Sequence, residues 1–215
     1  MTRRMTIATI AGQPTTFYPE GREKQRPKTL HPAAGESSRQ VVESLAEQSA
    51  ELADVWAGLS PDDWGRPVVD SHEAGEFKRM PLTIGDLALL RLTEVEVHGT
   101  DLDIGLRRWS NQFVEAALPR RISWLGRRTP PKLPESAEFP MTWLLAATDG
   151  PSYLVRIDEA RQTTAEVATF DAAARHRIEG PSVDLLATIL GRGVSPDLHA
   201  PPPAIESLRQ TFPGP

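Results

Sequence analysis

A proline-rich stretch, TPPKLPESAEFP (residues 129–140), cuts the sequence into two parts with different hydrophobic periods. Each proline removes a backbone donor and fixes φ, so neither a helix nor a central strand runs through such a stretch. Before it, apolar residues recur every three to four positions; after it, short alternating runs separated by turn residues take over. This predicts an α+β chain: a helical domain over residues 1–128, a linker over 129–136, and a small α+β domain over 137–215. The twenty prolines cluster in the linker and again after Ser195, which predicts a loose C-terminal tail.

In the first part, MTRRMTIATIAGQP carries two arginines and a short apolar run broken by threonines, with no clean cleavage site. It reads as the tail of a helix rather than a signal peptide. Residues 11–35 are rich in helix breakers and read as loop. SSRQVVESLAEQSAELADVWAGLS then opens on a serine cap, and Val41, Leu45, Leu52, Val55, Trp56 and Leu59 follow at helical spacing. SPDDW starts a short turn ended by Gly65 and Pro67. PLTIGDLALLRLTEVEVHGTDLDIGL reads as a long helix capped by Thr83, with Asp86 near its positive end. Its EVEVH piece alternates like a strand, but the leucine-rich lead-in and the cap favour helix. NQFVEAALPRRISWLG is a further helix, expected to be interrupted at Pro119.

In the second part, MTWLLAATDGPSYLVRIDE reads as a hairpin around Asp149-Gly150. TTAEVATF and ARHRIEG read as short strands. GPSVDLLATILGRG reads as a helix with Pro181 at its start and Gly191 at its end.

The net charge is -5 and no cysteine is present. The acidic balance argues against nucleic acid or an anionic membrane as the main partner. No apolar run reaches the roughly 18–20 residues of a membrane span. Without cysteine there are no disulfides and no thiol nucleophile of the chain's own, which suits a reducing cytoplasm. Any thiol chemistry must use a small molecule's sulfur.

The chemistry-bearing residues gather in TEVEVHGTDLDIG. At about 100° per residue, His98 and Asp101 both fall within about 40° of Glu94. Leu87 and Leu90 share the stripe, while Glu96 and Asp103 point away. A carboxylate and an imidazole one turn apart on a buried face can share a metal ion. A catalytic zinc takes about three protein ligands, so one is missing from this helix, and Asp101 is either a ligand or a group that orients His98. The competing reading is an ordinary surface pairing, with Arg91 three residues before Glu94 as a salt-bridge partner.

In order along the chain, TFYPEGREKQR, a helix ending DDWGRPV, RLTEVEVHGTDLDIGL and RIEGPSVDLLATILGR resemble the mycothiol-dependent maleylpyruvate isomerase family of actinobacteria. The resemblance runs from about Arg4 to about Arg192 and is carried most specifically by RxxEVxxHxxDL. It implies an N-terminal DinB-like metal-binding helical bundle followed by a small sterol-carrier-like α+β domain. It implies that Glu94 and His98 bind a divalent metal, usually zinc. The family's third ligand is a histidine on the first helix of its bundle. Here RRMTIATIAGQPTTFYPEG matches the last turns of the second helix, so the bundle is expected to be incomplete. His31 and His72 are the N-terminal histidines open to substitute. The family also uses an arginine of its C-terminal domain, and Arg192 is the closest match, with Arg175 and Arg177 as weaker ones. Arg192 also suits the plainer role of a cation at a helix C-terminus.

The implied chemistry needs two partners, mycothiol as the low-molecular-weight thiol and a small acid as substrate. The metal lowers the thiol pKa, and the thiolate adds to the double bond of a cis-enedioyl acid. Rotation about the resulting single bond and loss of the thiolate give the trans isomer. A guanidinium would hold the substrate carboxylate. The alternatives are a related thiol transferase, a metal-free non-catalytic relative that has lost the first-helix ligand, or a carrier whose apolar interior is lined by Trp143 and Tyr153. An incomplete bundle also implies exposed apolar surface, and with it a monomer or weak homodimer.

Overall fold

The structure is a computed structural model. It describes residues 1–21, 23–25, 35–69, 82–102, 108–127, 133, 138–193 and 195–212. The expected linker lies almost wholly outside these, as do His31 and His72. The chain is α+β and forms two compact units, Met1–Leu92 and Thr93–Pro215.

The first unit holds helix α1 (Thr2–Ile10) and helix α2 (Ser38–Ala57). The first residues therefore form a helix, as expected. A capping box starts α2: the Ser37 side chain accepts from the Gln40 backbone, and the Gln40 side chain accepts from the Ser37 backbone. The SPDDW segment makes a single 3-10 turn, Asp63–Gly65. Helix α3 (Ile84–Asp101) begins in this unit and ends in the other. The Thr83 backbone donates to Asp86 at 2.8 Å, and the Asp86 backbone donates back to the Thr83 hydroxyl at 3.2 Å. That reciprocal cap settles EVEVH as helix, because its β-branched residues join an already nucleated helix.

The second unit is a four-stranded sheet with helices. Its strands are β1 (Met141–Ala147), β2 (Ser152–Ile157), β3 (Thr163–Ala168) and β4 (His176–Gly180), in the order β3-β2-β1-β4. β1 and β2 form the expected hairpin, with Leu145 opposite Tyr153, and β1 pairs in parallel with β4. Central β1 is buried along Trp143, Leu144, Leu145, Ala146 and Ala147, so both of its faces are covered. Helix α5 (Ser182–Ile189) follows β4.

Helix α4 (Asn111–Leu125) departs from expectation twice. It runs unbroken through Pro119, which stands on the exposed face one turn after exposed Glu115. There the carbonyl left without a helical donor can be hydrated, which limits the cost of the proline. The inward face, Phe113, Val114, Ala117, Leu118, Ile122 and Leu125, remains continuous. Moreover, α4 packs on α5, β2 and β3, so the compact unit containing the sheet starts at Thr93, well before residue 137.

The expected loose tail is helix α6 (Pro202–Thr211). Proline fits its first turn, where no backbone donor is needed, and Ala204, Ile205 and Leu208 bury one face. No helix among the described residues is long and apolar enough to cross a membrane.

Helix α4 meets β3 closely at its end: a Cβ on Gly126 would lie 2.9 Å from the Ala165 backbone nitrogen. Gly126→Ala should therefore destabilise the fold by about 1–3 kcal/mol, the usual range for overpacking. Chemical denaturation checks it, and an unchanged midpoint would mean that α4 does not press on β3 in this way.

Candidate functional site

The last turns of α3 carry Glu94, His98 and Asp101 on one side and Glu96 and Thr100 on another. The inward-facing side differs from the expected one. Val97 is buried and Glu96 half-buried. Glu96 accepts from the Ser110 hydroxyl at 2.6 Å and from the Ser110 backbone at 3.1 Å. Trp109 donates its indole N–H to Thr100 at 3.1 Å. By contrast, the side chains of Glu94, His98 and Asp101 are 65%, 57% and 38% exposed. The expectation of a buried polar trio is corrected: Leu87 is buried, but the stripe emerges into solvent by Glu94. Emergence fits the chemistry, because Glu94 and His98 keep most of their hydration there and Asp101 keeps part of its own.

His98 lies between two acids. Its Nδ1 is 3.1 Å from Asp101 Oδ2, and its Nε2 is 3.3 Å from Glu94 Oε2. If Nδ1 carries the proton given to Asp101, Nε2 faces a carboxylate either as the N–H of an imidazolium or as a lone pair. Lone pair against carboxylate is repulsive unless a cation lies between them. Two donors on one tetrahedral zinc, each about 2.0–2.2 Å from the metal, stand about 3.4 Å apart. The Glu94–His98 separation fits that spacing, and Asp101 occupies the place of the carboxylate that fixes a ligand histidine's tautomer.

Arg192 comes from the far end of the second unit. α5 ends in a Schellman motif: Gly191 adopts φ 71°, its N–H donates to Thr188 O, and the Arg192 N–H donates to Ala187 O. That turn redirects the chain so that Arg192 Nη2 donates to Asp101 Oδ2 at 2.7 Å. The structure therefore brings the four residues Glu94, His98, Asp101 and Arg192 into one chain of contacts. Arg209 of α6 buttresses it by donating to the carbonyls of Thr188 and Arg192. Arg209 lay in the supposed tail, so its signal was hidden with that helix. Glu96 was legible only as a residue off the stripe.

The remaining candidates lie elsewhere. Arg175 pairs with Glu138 at 2.8 Å, while Arg177 binds Glu179 and the Phe170 carbonyl and stacks over the Phe170 ring. Trp143 is fully buried, stacked against His176 and edge-on to Phe212, so side chains fill the interior expected for a carrier. Burial, helped by Arg175, pushes the His176 pKa down. A groove of about 560 Å³ opens instead beside α6, between Leu198, Pro202, Ile205 and Arg209. Among the described residues, no group of three His, Cys, Asp or Glu side chains is placed to hold a metal. Comparison with protein-family models, with curated protein sequences and with solved structures gave no match.

A double-mutant cycle between Asp101→Asn and Arg192→Met should give a coupling of about 0.5–1 kcal/mol that weakens with salt, as expected for a half-exposed ion pair. No coupling at low salt would mean that α5 does not reach α3 through this contact.

Proposed function

We propose that this chain is a divalent-metal-binding enzyme of the mycothiol-dependent maleylpyruvate isomerase type, or a related thiol transferase. On this reading its helices correspond to a DinB-like bundle and its sheet to a sterol-carrier-like domain. The supporting observation is the Glu94–His98 pair, spaced for one ion and oriented by Asp101. Glu94 Oε2 and His98 Nε2 would hold the metal, with zinc the expected ion. A divalent ion bound there would lower the pKa of a thiol ligand, so that its sulfur could add to the double bond of a cis-enedioyl acid and leave again after rotation.

The chain's own residues have separate tasks. Asp101 keeps the His98 proton on Nδ1 and leaves the Nε2 lone pair for the metal. Arg192 fixes Asp101 and is itself 31% exposed, which leaves guanidinium surface for a substrate carboxylate. The exposure of Glu94 and His98 gives a bulky thiol and a small acid open access.

A second reading has its own support: a metal-free, non-catalytic relative in which His98 is an imidazolium bridging two acids. The high exposure of the trio favours it, as does the lack of a third donor among the described residues. Metal analysis separates the two. The enzyme reading expects about one zinc per chain after purification without chelator, lost in Glu94→Ala and in His98→Ala. It expects Asp101→Asn to weaken zinc by about 10–100-fold, as loss of an orienting carboxylate does. The loaded protein should isomerise maleylpyruvate only with mycothiol present. No bound zinc, and identical behaviour of both alanine variants, would leave the metal-free reading.

A further inference from the structure

The first three turns of α2 are almost bare. Of residues 38–50 only Ser44 is even half-buried, and Val42 and Leu45 are 65% and 56% exposed. These residues belong to a regular seam. Val42, Leu45, Ser49, Leu52, Trp56 and Leu59 recur at alternating three- and four-residue steps, the spacing of a helix-pairing stripe. Its second half is covered, with Leu52 buried; α1 packs on α2 at this level, where Arg3 bonds to Glu51 on the flank at 2.7 Å. At the end of α1, the Ile10 carbonyl accepts from Arg66, beyond α2. α1 thus runs beside the later turns of α2 and leaves the earlier ones uncovered.

We propose that a second copy of this chain covers them, by antiparallel pairing of the two α2 segments. Antiparallel helices pack each alternate position of one seam against the other position of its partner. Val42 of one copy then meets Leu45 of the other, and Ser38 meets Ser49, so two apolar layers are flanked by two small ones. The charge pattern selects this occupant. Val41, Ala46 and Gln48, which border the seam, are uncharged, and Arg39 is the single charge beside it. Glu43, Glu47 and Glu51 point away from it, so identical helices meet without acid facing acid. A strongly charged protein partner finds no matching charges along the stripe. The inference is independent of the metal reading, since it uses none of those residues.

Sedimentation equilibrium of the full chain tests it between about 1 and about 200 μM, a range in which a weak homodimer dissociates on dilution. The wild type should pass from monomer to dimer across that range. Leu45→Glu should stay monomeric, and Val42→Asn should weaken the dimer at least about tenfold, both with unchanged helical circular dichroism because the replaced side chains are exposed. Val167→Glu, which alters another exposed valine on the edge strand β3, should dimerise like wild type. A monomer throughout, a dimer that survives Leu45→Glu, or a dimer lost only in Val167→Glu would overturn the proposal.

Discussion

The contact between Arg192 and Asp101 closes the second unit around its chemically interesting surface. It spans 91 residues at 2.7 Å and joins the end of α5 to the end of α3. It depends on local chemistry at both ends. Gly191 supplies the left-handed turn that aims Arg192, and α3 must stay helical through Asp101 to present the carboxylate. Arg209 adds a third element by holding the carbonyls of the α5 terminus. A half-exposed ion pair adds little to stability. Its consequence is directional: with Asp101 committed to Nδ1 of His98, Nε2 is turned toward Glu94.

Much of the fold was legible because short-range rules agree with it. Ser37 with Gln40 and Thr83 with Asp86 are reciprocal caps, and each marks the helix start that its sequence pattern announces. Asp149-Gly150 marks the hairpin, and Gly191 marks the end of α5. The failures share one cause, the weight given to proline. Proline removes one donor, and that loss matters only where the donor is needed. At Pro119 the affected carbonyl belongs to exposed Glu115, and at Pro202 the helix is just beginning. Both helices hold because the inward faces of Phe113, Leu118 and Ile122, and of Ile205 and Leu208, are apolar and well placed.

The candidate site was legible in its members and misread in its surroundings. Helical geometry placed Glu94, His98 and Asp101 on one stripe, but periodicity cannot say how far along a helix the core extends. Along that stripe the core ends before Glu94, and the inward face of the last turns is set instead by buried Val97, by Glu96 gripping Ser110 and by Thr100 meeting Trp109. These are contacts of 9 to 14 residues' separation, and no helical wheel contains them. The meeting of Arg192 with Asp101 is longer-range still. Only the tertiary structure gives Arg192 its partner.

The proposed metal pair leads to one direct observation. Crystals grown with zinc, measured on both sides of its absorption edge, locate the ion without any assumption about activity. An anomalous peak is expected about 2.1 Å from both His98 Nε2 and a Glu94 carboxylate oxygen, with Asp101 still on Nδ1. The absence of a peak there, with Glu94 and His98 in direct contact at 3.3 Å in the presence of excess zinc, would contradict the proposed metal pair.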